Sequence, residues 1–370
     1  MSLSRRALLL APALAAWRNE ARGDAAAASP PVVRPGVPIV LPRDFGAHPA
    51  YRTEWWYLTG WLEMPGAAEP FGFQVTFFRS RGDVAPAHPS RFAAQQLVSA
   101  HLALTDPDAR RLRHAQRIAR TGFGIAEAAE HDTDLRLRGW RLWREADAEG
   151  RHGYRAVLDA GPAGFALDLR CRSTQPVLRQ GEHGYSRKGP EPAQASFYLS
   201  EPQLAVEGTL DHEGRARPVT GRAWLDHEWS EALLHPDAVG WDWIGMNLDD
   251  GGALTAFRLR RADGSALWAG GSWRLAGGAP RAFAADEVRF TPLRDWTSPA
   301  TRTRYPVRWR IDTPAGRHEV AARLDAQELD GRASTGAVYW EGLSDLLDAD
   351  GRRVGRGYLE MTGYAGALRL

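Results

Sequence analysis

Gly221-Arg222-Ala223-Trp224-Leu225-Asp226 recurs 134 residues later as Gly355-Arg356-Gly357-Tyr358-Leu359-Glu360. Each copy is preceded at the same distance by a Glu-Gly pair, Glu207-Gly208 and Glu341-Gly342. Self-similarity at a fixed offset marks a duplicated unit. A looser echo joins Leu58-Thr59-Gly60-Trp61 to Trp243-Ile244-Gly245-Met246, and each leads through a turn to Phe-Arg, at Phe78-Arg79 and Phe257-Arg258. That offset, 185 at the glycines, predicts a first copy that is longer in its middle. The chain therefore reads as two related units, residues 45–229 and 230–370.

Around these segments the dominant period is two. Leu135-Arg136-Leu137-Arg138, Phe165-Ala166-Leu167-Asp168-Leu169 and Val307-Arg308-Trp309-Arg310-Ile311 each put apolar residues on one face and charge on the other. Half-buried antiparallel strands read this way. Asp106-Pro107-Asp108, Asp249-Asp250-Gly251-Gly252 and Ala349-Asp350-Gly351 mark turns between them. Short helices are predicted only near 112–120 and 230–234. The fold class is all-β: two consecutive antiparallel β-barrels, which hide the strand edges that open sheets expose.

Composition removes whole classes of function. Lys+Arg 47 against Asp+Glu 45 leaves a formal charge of +2, so no basic surface favours nucleic acid. The single cysteine, Cys171, excludes an intrachain disulfide and a cysteine metal cluster, and it sits at a packing position of an alternating run. His101, His183 and His227 are scattered, so no metal site is predicted. Neither a phosphate loop nor a dinucleotide fingerprint occurs in a suitable context, so no nucleotide cofactor is predicted either. At the N-terminus Ser4-Arg5-Arg6 precedes a short apolar run, Ala7 to Ala16, and small-residue cleavage positions. Residues 1–30 read as a twin-arginine-type signal peptide, which implies a periplasmic or secreted protein without a membrane span in the mature chain. Residues 31–44 are an extended lead-in.

The chemistry-bearing residues lie where the copies diverge. After Leu-acid the first copy continues His227-Glu228-Trp229 and the second Met361-Thr362-Gly363. On a strand Asp226 and Glu228 face one way, His227 and Trp229 the other. Two further clusters, Glu54-Trp55-Trp56-Tyr57 and Trp241-Asp242-Trp243, open the first strand of each unit and set rings beside acids. They read as core packing or as the wall of an apolar cavity. His101 reads as an inward ligand or as a satisfied core residue. Tyr185 belongs to a glycine-hinged loop, residues 181–189, which carries the chain's only lysine, Lys188.

Glu54-Trp55-Trp56-Tyr57-Leu58-Thr59-Gly60, Phe73-Gln74-Val75-Thr76-Phe77-Phe78-Arg79, Ala100-His101-Leu102-Ala103-Leu104, Gly184-Tyr185-Ser186-Arg187-Lys188-Gly189 and Gly221 through Trp229 resemble the carotenoid 1,2-hydratase-like (AttH-like) family from about residue 45 onward. The resemblance implies two lipocalin-like barrels, an apolar isoprenoid or lipid-like ligand, and cofactor-free addition of water to a C=C bond. It implies Asp226 or His227 as proton donor or relay, Trp229 with Trp241 or Trp243 as a cation-stabilising wall, and Glu54 as reserve acid. Trp55, Trp56, Tyr57, His101, Tyr185 and Asp242 would complete the ligand site. The alternative is a non-enzymatic lipid carrier serving an ABC-type transporter.

Overall fold

The computed structural model describes residues 31–84 and 88–368, so residues 1–30, the stretch read from sequence as a signal peptide, lie outside the described residues. Within them the chain is β throughout, with two single-turn 3-10 helices, Arg43–Phe45 and Gly161–Ala163. No helix among them is long and apolar enough to cross a membrane. Both short helices expected from sequence are absent. Arg111–Arg120 is a strand, because its backbone pairs along its whole length with Gln96–Asp106, and of 230–234 Ser230 ends a strand while 231–234 is irregular.

The first sheet begins with the meander β1 (Thr53–Glu63), β2 (Phe71–Arg81), β3 (Gln96–Asp106) and β4 (Arg111–Arg120). A second meander follows: β5 (Ala126–Ala128), β6 (Asp134–Leu137), β7 (Trp140–Ala146), β8 (His152–Asp159) and β9 (Phe165–Arg172). Two short strands, β10 (Leu178–Arg179) and β11 (Tyr185–Arg187), edge onto the long β12 (Ala195–His212). β12 joins β9 to β13 (Arg215–Ser230), and β13 returns to β1. The path ends at β4 and β5, which are consecutive in the chain, so the sheet curls back on itself and is nearly closed. Arg117 laces the gap, donating to the Arg138 and Asp159 carbonyls with its guanidinium over the Trp140 ring.

The second sheet repeats this plan with ten strands. β14 (Gly240–Leu248), β15 (Ala253–Arg260), β16 (Ala266–Arg274) and β17 (Arg281–Phe283) form its meander. β18 (Arg289–Thr297), β19 (Arg304–Thr313), β20 (Gly316–Ala322) and β22 (Val338–Leu347) follow, with β21 (Glu328–Asp330) on the edge of β22. β23 (Arg353–Met361) returns to β14, and again the path ends on consecutive strands, β17 and β18.

The duplication is real, but its register differs from the sequence reading. Gly221–Asp226 and Gly355–Glu360 lie on corresponding strands, β13 and β23, each between the sheet's first strand and the hairpin partner. Leu225 lies opposite Leu58, and Leu359 opposite Ile244. Leu58 therefore corresponds to Ile244, one position away from the match made on Gly60 and Gly245. A slip of one residue exchanges the two faces of a strand. The Glu-Gly pairs do not correspond: Glu207 lies opposite Thr220, whereas Glu341 lies opposite Glu360. The β12–β13 hairpin is longer and carries a bulge between Glu201 and Leu204.

Each sheet encloses its own core. Leu58, Phe73, Phe77, Leu102, Leu142 and Leu204 fill the first, with Cys171 fully buried among them and its thiol pushed up to about 12 by burial. Ile244, Trp309, Ile311, Trp340 and Leu359 fill the second. A third cluster, Tyr57, Trp61, Trp224, Trp243, Leu343 and Tyr358, joins the two sheets. The lead-in contributes as well, since Val33 and Ile39 pack against Tyr185 and Phe197.

Candidate functional site

Strands buried on both faces position the site. Along β1, Trp56, Leu58 and Leu62 enter the first core, whereas Tyr57 and Trp61 enter the inter-sheet cluster. Along β14, Ile244 and Met246 turn inward, and Trp241 and Trp243 turn toward the first sheet. The same alternation sends Asp226 and Glu228 of β13, and Glu360 of β23, to the shared side. These residues, with Trp55, Tyr198, Phe257, Tyr339 and Glu341, line a cavity of about 300 Å³. Corresponding residues of the two units meet across it. Trp55 stacks on Trp241 at 6.4 Å with planes 14° apart, and Tyr57 meets Trp243 edge-on at 5.3 Å.

Asp226 is the best-defended acid of this cavity. Tyr198 Oη donates to its Oδ2 at 2.7 Å, and Ser200 Oγ and Trp224 Nε1 donate to Oδ1 at 2.5 and 2.7 Å. Trp243 Nε1 in turn donates to Tyr198 Oη at 3.0 Å. Burial pushes Asp226 up to about 7, against the pull of these donors. Burial likewise raises Glu360 to about 7, although Trp241 Nε1 donates to it at 2.9 Å. Glu341 is raised well above the usual carboxylate range by burial and by Glu360. Lys188 Nζ lies 2.9 Å from Glu228 Oε1, which also accepts from Ser196 Oγ.

His227 lies on the opposite face of β13 from Asp226. Its Nε2 donates to Glu54 Oε1 at 2.9 Å, and its ring stacks on Trp56 at 4.5 Å. Glu54 is a hub: His48 Nδ1 lies 2.7 Å from the same oxygen, and Arg79 Nε donates to Oε2 at 2.8 Å. Burial pushes Glu54 up, but its bonds from His227 and His48 outweigh that and hold it below the usual carboxylate range. Burial keeps His227 neutral by lowering it, while Asp44 and Glu54 overcome burial and raise His48. Trp229 stacks flat on His48 at 3.8 Å. His48, Glu54 and His227 bring potential ligand atoms within 4.8 Å of one another. Arg79 already supplies the counter-charge there, so the arrangement is that of a hydrogen-bond hub.

Of the residues singled out from sequence, Trp55, Tyr57, Asp226, Trp241 and Trp243 share the cavity wall, and Glu54 borders it with its carboxylate turned to the hub. Trp56, His227 and Trp229 lie behind that wall. Asp242 is in the second barrel, accepting from Arg258 Nε at 2.7 Å and Tyr364 Oη at 2.8 Å. Tyr185 pins its own loop by donating to the Pro192 carbonyl at 2.6 Å. His101 is one shell removed: its Nδ1 lies 2.6 Å from Tyr339 Oη and its Nε2 2.7 Å from Ser334 Oγ, both on cavity-lining residues. Burial pushes His101 down to about 3 and leaves it neutral.

Sequence reasoning missed Tyr198, Ser200, Glu341 and Glu360 as site residues. The second copy continues with Met361-Thr362-Gly363 where the first has His227-Glu228-Trp229, yet its Glu360 faces the same cavity as Asp226. Their shared position in the repeated strand was the available signal. For Lys188 the available signal was that it is the chain's only lysine.

A family model described as AttH-like matches residues 32–364. A Nitrosomonas europaea protein solved under the AttH name is 47% identical, with a TM-score of 0.82, and the alignment covers 90% of this chain and 99% of that one. Kievitone hydratase from Nectria haematococca has the same fold at 13% identity and TM-score 0.66, over 91% of this chain and 94% of that one. CghA with Sch210972 aligns at 14% identity and TM-score 0.51, over 86% and 89% of the two chains. No curated protein matches the sequence.

Proposed function

This chain belongs to the AttH-like family, and from that premise we propose that it binds an apolar, isoprenoid or lipid-like molecule between its two barrels and adds water to a C=C bond of it. One observation carries the reading: a carboxyl group poised at about 7, Asp226, opens on a cavity walled by indoles. A general acid works best when its pKa lies near the working pH.

Protonated Asp226 gives its proton to one alkene carbon, and the π electrons form the new C–H bond. The adjoining carbon becomes a tertiary cation, which the faces of Trp55, Trp241 and Trp243 stabilise. Water adds to that carbon and returns a proton to the Asp226 carboxylate, so no cofactor is consumed. Ser200, Tyr198 and Trp224 hold the carboxylate in place meanwhile. His227 has no direct part in this scheme, because the β13 backbone separates it from the cavity. The Arg5-Arg6 leader adds the proposal that this happens after export.

The test is incubation with prenyl-bearing alkenes in water enriched in heavy oxygen. Label is expected in a tertiary alcohol, and Asp226→Asn is expected to slow its formation by about 10²–10⁴-fold. Unlabelled substrate recovered intact from tightly loaded protein would instead favour a carrier.

A further inference from the structure

The cavity contains more carboxyl groups than cations, and one of them has no counter-ion. Glu341 is 2% exposed, and neither of its oxygens meets a hydrogen-bond donor of good geometry. It lines the cavity together with Asp226 and Glu360. Tyr57 Oη approaches Glu341 as a hydrogen-bonding neighbour outside good geometry, and it is a neutral group that supplies no counter-charge. The ammonium of Lys188 is already committed to Glu228. Of the guanidinium groups lining it, buried Arg79 is bonded to Glu54 through Nε and Arg81 to Glu231, while Arg52 lies 3.9 Å from the exposed Asp83. A buried carboxylate without a counter-ion is costly, so Glu341 awaits a cation or holds a proton. Aromatic residues line the same cavity, and ring faces attract cations most strongly where water is excluded.

Lys188 shows what such a place accepts. Its alkyl-ammonium lies on a carboxylate and over two rings, 4.6 Å from the Tyr198 centroid and 4.1 Å from that of Phe257. Glu341 offers a second carboxylate in the same ring-lined cavity, and no ammonium meets it. We propose that the cavity binds organic cations, specifically an alkyl-ammonium group on an apolar tail, with the nitrogen against Glu341 and the tail among Trp55, Trp241 and Trp243. The inference shares with the hydratase reading only the cavity as ligand site. It requires no turnover.

The experiment is isothermal titration of the full chain with hexyltrimethylammonium and with 1-nonanol, which match in carbon number and differ in charge. The ammonium is expected to bind about tenfold more tightly or better, as a desolvated cation–π contact and a carboxylate would give. Glu341→Gln is expected to remove most of that preference and leave the affinity for nonanol unchanged. Equal or tighter binding of nonanol by the wild-type protein overturns the inference, whatever the variant does. A preference that survives intact in folded Glu341→Gln overturns the assignment to Glu341. Hydration of prenyl alkenes without ammonium preference would sink this inference alone, and ammonium preference without hydration would sink the hydratase reading alone.

Discussion

Asp226 sits where its surroundings oppose its charge, and that has a consequence for stability. Its folded value, about 7, lies above the 3.8 of an unperturbed aspartic acid. The folded state therefore holds a proton that the unfolded chain releases first. Such a group contributes stability in full below about pH 4, and that contribution is lost progressively as pH rises through about 7. Glu360, also raised to about 7, acts with the same sign. Wild-type protein is expected to lose stability between pH 5 and pH 8, and Asp226→Asn to lose less, by roughly 1–3 kcal/mol. Urea midpoints at both pH values measure this, and parallel curves for the two proteins would refute it. At this scale the sequence showed that Asp226 and Glu228 share a face. It could not show which face met a cavity, because that depends on what packs outside the barrel.

β14 shows how one strand serves a core and a site together. Gly245 lacks a side chain where a Cβ would meet the ring of Trp243, 2.6 Å from its Cζ2, and that of Trp224, 3.2 Å from its Cδ2. The gap lets the Trp243 indole fold back and donate to Tyr198, which in turn holds Asp226. Gly245→Val is expected to displace that indole, lower stability by about 1–3 kcal/mol as overpacking does, and weaken ligand binding. Thermal melts and tryptophan fluorescence check this, and an unchanged melting temperature with an unchanged emission maximum would exclude it. The sequence identified Gly245 but matched it to Gly60, one residue out of register. Glycine recurs in strands for several reasons, whereas ladder pairing assigns position without ambiguity. Similarly, the short helix expected over Leu112–Arg120 does not form, and pairing with β3 holds that stretch extended.

On the scale of the whole molecule the two units meet as pseudo-symmetric partners. β1 packs against β23, and β13 against β14, which are reciprocal pairs under the duplication. The surfaces so covered carry Tyr57, Trp61 and Trp224 from one unit and Trp243 and Tyr358 from the other. A fragment spanning 31–230 is expected to expose this aromatic face, self-associate and bind a hydrophobic dye. Mixing it with a 231–370 fragment should suppress both effects. Size-exclusion chromatography reads the outcome, and a monomeric, dye-silent fragment would contradict the shared core.

Period-two patterning, the turn residues and the repeated Gly-Arg-x-aromatic-Leu-acid strand were enough to specify an all-β chain of two related units. These are local properties, since alternation follows from strand geometry and a duplicated segment keeps its pattern. Which face of β13 became the cavity wall, the wiring of His227 to Glu54 and the convergence of Glu360 and Glu341 on Asp226 were decided by the tertiary structure alone. These contacts join residues more than a hundred positions apart, His227 to Glu54 between neighbouring strands of the first sheet and Glu360 and Glu341 to Asp226 across the two sheets. The first depends on strand pairing and the second on how one barrel's outer face is covered by the other, and no pattern within a single strand encodes either.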